Sequence, residues 1–197
     1  MIGFSLAETG VSIRIPQHAG DLAHEPAMFA GFAFTFALIC LMRFTHHRLF
    51  AYLFKPTGLF VSLNFAWLAS LAMLVFSLQV YFHFPLDVGA GEFYIGMFAL
   101  TYGLMAIQYA IGLQVSGDTV SRDERARLVV TAVLLSAWTL LAVSSIWQIR
   151  VFGAGMLANG IIGMEFMIMA TLHPVVGVWI SLARGRALRN QRARLSR

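Results

Sequence analysis

The chain has 197 residues, of which 59% are hydrophobic and 12% charged, with a formal net charge of +5. Soluble domains carry about 25% charged residues, so this composition excludes an ordinary soluble fold, which could not hide so much apolar surface. A single cysteine, Cys40, excludes a disulfide framework and a cysteine-built metal site, and arginines gathered at the ends of apolar blocks, not along one face, exclude nucleic acid as the partner.

Residues 1–25 form an external N-terminal segment without a basic start or a long apolar run, so no removable signal peptide is expected. His18, Asp21, His24 and Glu25 cluster there at spacings that match no specific metal motif. Five apolar blocks then predict membrane-spanning helices over 26–44, 57–82, 93–115, 128–149 and 153–183. The first is the shortest, and Glu25 and Arg43 must snorkel to its two interfaces. Between the first two blocks, His46 to Lys55 reads as a separate short amphipathic helix along the interface. Pro56 and Gly58 mark the entry to the second block, while Pro85, Gly89 and Gly91 break the chain before the third. Ser121 and Glu124 have the spacing of a capping box, which starts the fourth helix before its apolar stretch. The fifth block is longer than a bilayer needs and holds Pro174, and a basic cytoplasmic tail follows over 184–197.

Charge placement supplies an independent test of this layout. With five spans, Arg43, Arg48, Lys55, Arg122, Arg125, Arg127 and the six tail arginines fall on one side, and Arg14 and Arg150 on the other. The positive-inside rule then puts the amino terminus outside and the carboxyl tail in the cytoplasm. The expectation is an all-α integral membrane protein, a bundle of five transmembrane helices over 26–183 in a bacterial inner membrane.

Chemistry is sparse. At about 100° per residue, Gly155, Asn159, Gly163, Ala170, His173 and Gly177 share one stripe of the fifth block, and its small residues suit close helix packing. Glu165 lies deep in the same block, where a charge costs about 2.5 to 3.5 kcal/mol on insertion scales; it is either a neutral hydrogen-bond donor or a proton or cation site. In the third block Thr101, Tyr102, Met105, Gln108, Tyr109 and Gly112 share a face, and in the second Ala66, Ser70, Met73 and Ser77 do. Gln108 and Tyr109 join Glu165, His173 and Asn159 as intramembrane polar candidates. His173, His46 and His47 are weak candidates for metal or b-type haem ligation. No phosphate loop, histidine box or catalytic triad occurs, so no enzymatic activity is expected.

Leu172-His173 followed by Val176-Gly177 in the last block resembles the membrane subunit of respiratory nitrate reductases, and the resemblance covers about a tenth of the chain. It implies five spans, an outside amino terminus and haem-ligating histidines. The second block, 57–82, has no histidine where that family has them, which argues against a two-haem subunit. These readings combine into one expectation: a non-catalytic subunit of a respiratory or photosynthetic electron-transfer complex, packed among lipids and other membrane subunits and helping to shape a quinone or lipid site. The alternatives are a small proton, cation or solute transporter using Glu165, and a haem b membrane anchor using His173.

Overall fold

The computed structural model describes residues 26–84, 86–116 and 120–152. They form four helices, α1 (Pro26–Tyr52), α2 (Gly58–His83), α3 (Val88–Ser116) and α4 (Arg122–Phe152), all in the first of two compact units, Met1–Ala154 and Gly155–Arg197. Among the described residues three helical stretches are long and apolar enough to cross a membrane: Gly58–Tyr81, Val88–Ser116 and Arg122–Phe152. The external segment, the block over 153–183 and the basic tail lie outside the described residues.

The starts of α2, α3 and α4 each follow from a short polar side chain placed to catch a free backbone amide. Thr57 accepts from the Phe60 amide at 3.3 Å and opens α2 directly after Pro56. Asp87 accepts from the Ala90 amide at 2.7 Å, so α3 begins at Val88 and takes in Gly89 and Gly91. This corrects the expectation that those glycines break the chain. An aspartate cap at the positive end of the helix dipole outweighs the modest helix penalty of two glycines. Ser121 accepts from the Glu124 amide at 3.3 Å, which is half of the expected capping box. The Glu124 carboxylate points away to Arg48 and Arg127.

A second correction concerns α1, which runs unbroken to Tyr52, so the separate interfacial helix over His46 to Lys55 does not form. Nothing between Phe44 and Tyr52 is Gly or Pro, and continuing a helix is easier than nucleating a new one. The basic charges of Arg43 and Arg48 end the apolar block without ending the helix.

α3 is the common partner of the bundle, packing on α4, α2 and the last turns of α1. Its buried face holds Thr101, Tyr102, Met105, Gln108, Tyr109 and Gly112, the stripe expected from spacing. In a bilayer the lipid is as apolar as the side chains, so helices associate by close packing and interhelical hydrogen bonds. Gly103 lets Thr139 of α4 approach to 3.4 Å of where a Cβ would stand, and Gly112 brings the Leu53 Cβ to 2.7 Å of such an atom. Trp67, Trp138, Tyr102 and Tyr109, each less than 2% exposed, fill the interior. On α2 the expected stripe is only half right. Ser70 and Ser77 are buried, but Ala66 and Met73 face outward, and the buried edge runs through Phe60, Trp67, Leu71, Leu74 and Leu78. Apolar residues surround this helix on all sides, so hydropathy gives no phase.

Candidate functional site

Several interhelical polar contacts gather at the end of the bundle where α1 finishes, α2 begins, α3 finishes and α4 begins. His46 lies on α1 just beyond the apolar stretch that ends at Phe44. Its Nε2 meets Asn64 Oδ1 of α2 at 2.7 Å, and its ring stacks on Trp67 with centroids 4.2 Å apart and planes 12° from parallel. Burial holds the His46 imidazole below its ordinary pKa; the Asn64 hydrogen bond opposes this, and the positive charges of Arg43 and His47 add to it. Asn64 is one helical turn before Trp67, which places both on the side of α2 that receives α1.

Neighbouring contacts tie the same end together. The Tyr109 hydroxyl donates to the Thr45 carbonyl oxygen at 2.7 Å, and Gln108 Nε2 donates to the Leu63 carbonyl oxygen at 3.2 Å. Arg48 donates to Glu124 at 2.5 Å, and Lys55 donates to the Val115 carbonyl oxygen at 2.7 Å. Gln108 Oε1 and Trp67 Nε1 are buried without a hydrogen-bond partner among the described residues. The arrangement is therefore a half-buried polar cluster with spare hydrogen-bonding capacity, set within otherwise apolar helices.

At the opposite end, Arg150 Nε and Nη2 pair with the Glu92 carboxylate at 2.8 and 3.3 Å, linking the end of α4 to the start of α3. Tyr81 and Tyr94 stack there at 5.7 Å, and Trp147 is 63% exposed, as an aromatic belt requires.

Of the residues singled out from sequence, Gln108 and Tyr109 come together in this cluster, at 0% exposure each. His46 joins them, while its neighbour His47 points outward from α1. Among the described residues no group of three or more His, Cys, Asp or Glu side chains is gathered for a metal. Glu165, His173, Asn159, Gly155, Gly163, Ala170 and Gly177 lie outside the described residues. Sequence reasoning missed Asn64. The signal was available, since a carboxamide inside an apolar block needs a partner.

Long apolar helices that pack through small residues and a few internal hydrogen bonds define a helical, multi-pass membrane protein. Residues 9–74, less than half of the chain, match the family described as endosomal/lysosomal potassium channel TMEM175. No curated protein matches the chain, and no solved structure matches it. The matched segment contains α1 and most of α2, including the His46–Asn64 pair and Trp67. This likeness to a channel family corrects the expectation of an electron-transfer subunit helping to shape a quinone or lipid site. The sequence signs behind that expectation, small-residue faces and an absence of catalytic motifs, are shared by any helical membrane protein that does no covalent chemistry. The likeness is to a channel family and not to an enzyme family.

Proposed function

We propose that the chain is a subunit of a cation channel that passes monovalent ions of the potassium class. The observation that carries this reading is the match over residues 9–74, because it falls on the two helices that the His46–Asn64 hydrogen bond joins. In this reading the chain crosses the membrane five times. The basic end, with Arg43, Arg48 and Lys55, faces the cytoplasm and the amino terminus lies outside.

Large side chains fill the space among α2, α3 and α4, led by Trp67, Trp138, Tyr102 and Tyr109. A hydrated potassium ion needs a continuous polar route, so the reading does not run the ion path through this packing and draws its candidate lining from the sequence over 153–183. Glu165 and Asn159 are the path-lining candidates, since an intramembrane acid attracts a cation and a carboxamide oxygen replaces part of its hydration shell. By helical spacing His173 shares the stripe of Asn159, Gly155, Gly163, Ala170 and Gly177, with Glu165 about 80° around from it, and in this reading the small residues of that stripe serve helix packing.

The test is potassium flux into liposomes that contain the purified chain. A potassium gradient should drive flux well above that of empty liposomes. Glu165→Gln should abolish most of it while the elution volume in detergent stays that of the wild type, and Gly163→Leu should alter that elution volume. A correctly assembled protein that passes no cation would refute the channel reading, and full flux in Glu165→Gln would remove that residue from it.

A further inference from the structure

The side of α1 opposite its packing contacts presents Cys40, Arg43, Phe44 and His47 at i, i+3, i+4 and i+7. With His46 and Phe50 they line an open groove of about 530 Å³. No carboxylate is among the six. Several basic side chains of this end are already engaged. Arg48 is engaged by Glu124, Arg127 lies 3.9 Å from the same carboxylate, and Lys55 is bound to a carbonyl oxygen. Arg43 and His47, both exposed, have no hydrogen-bond or ion-pair partner among the described residues.

One wall of the groove is fixed, because the His46 ring is held between Asn64 and Trp67. Beyond Arg43 toward the membrane interior the same face continues as Phe36, Ala37 and Cys40, all exposed. A guanidinium fork fits two phosphate oxygens, and an imidazole N–H adds a donor to a third. A free phosphate would use only those donors. A ligand whose phosphate sits at Arg43 and His47 and whose body runs down an apolar helix face uses the whole surface.

We propose that this groove binds the phosphate headgroup of an anionic phospholipid, with Arg43 and His47 holding the phosphate and Phe44 and the face below it lying along the acyl chains. Phosphate binding at a membrane surface by a basic residue beside exposed apolar side chains is the expected chemistry of such a site. The proposal does not depend on ion conduction.

The test uses the full chain in nanodiscs made from equal parts of phosphatidylcholine and phosphatidylglycerol, with retained lipid counted by native mass spectrometry after transfer to detergent. Wild-type protein should retain phosphatidylglycerol in excess of its share. Arg43→Gln should reduce that preference about fivefold, the effect of about 1 kcal/mol for one basic residue near a membrane surface, and His47→Gln should reduce it less. Arg122→Gln, which removes an exposed charge elsewhere at the same end, should leave it unchanged. Equal loss in Arg43→Gln and Arg122→Gln would mean a diffuse surface field and overturn the site. Displacement of the lipid by inorganic phosphate as readily as by short-chain phosphatidylglycerol would overturn the lipid in favour of a free anion. The wild-type count tests the site without any variant, and no excess of phosphatidylglycerol there would also dispose of it.

Discussion

The two ends of the described bundle each carry an arginine–glutamate pair between helices, and the two pairs are not equivalent. Arg48 and Glu124 meet at 2.5 Å with side chains 26% and 17% exposed, beside the Tyr109–Thr45 and His46–Asn64 hydrogen bonds. Arg150 and Glu92 meet at 2.8 Å, but the Arg150 side chain is 67% exposed. Water competes for the second pair far more than for the first, so similar geometry implies a different energetic weight. The basic end thus combines a half-buried ion pair with hydrogen bonds between helices, while the pair at the other end stands largely in solvent.

The contrast can be broken by mutation, and the largest effect belongs at the basic end. Gly112→Leu would push at least one atom to 2.7 Å of the Leu53 Cβ, which cannot rotate away. Overpacking of this kind should lower stability by about 3 kcal/mol, read as a clear fall in the thermal midpoint in detergent. Glu124→Gln leaves the half-buried Arg48 without its charge partner and should cost about 1.5 kcal/mol. Tyr109→Phe removes one buried hydroxyl bond and should cost about 1 kcal/mol. Arg150→Gln should leave the midpoint unchanged within error, since its pair is largely in solvent. A midpoint shift for Arg150→Gln as large as that for Glu124→Gln would show that the two ends are equivalent after all.

Acidity sharpens the same contrast. Burial lowers the His46 pKa in the folded chain below the unfolded value of about 6.5. The unfolded chain then binds more protons over the interval between the two values, so stability is full above about pH 6.5 and declines as pH falls below it. Thermal midpoints followed from neutral to mildly acid pH should show this decline in the wild type and a flatter profile in His46→Gln. An equal slope in both would mean that His46 does not sense pH.

Much of this architecture could be read from residue order, for reasons particular to each element. The α3 stripe from Thr101 to Gly112 was legible because small and polar residues recur there at helical spacing, and all six of its members are buried. The α2 face was not, because that helix is apolar on every side and only Ser70 and Ser77 of the four expected residues are buried. The end of α1 misled for a different reason. Charge at Arg43 and Arg48 marks where apolar sequence stops, while helix termination needs a breaker, and the first is Pro56. The His46–Asn64 pair escaped because its members lie in different blocks, and a contact across 18 positions has no local periodicity. Gln108 and Tyr109 were found by their face, but their partners, the Leu63 and Thr45 carbonyl oxygens, are backbone atoms that no side-chain pattern announces.

The lone thiol gives the protein a ready-made reporter. Cys40 is exposed on the outward side of α1, and the chain has no second cysteine to compete with it. A maleimide dye or nitroxide would therefore attach at one known position, a turn from Arg43, without any residue first being removed. Its spectrum would follow wetting, crowding and distance at that helix face in the unaltered sequence.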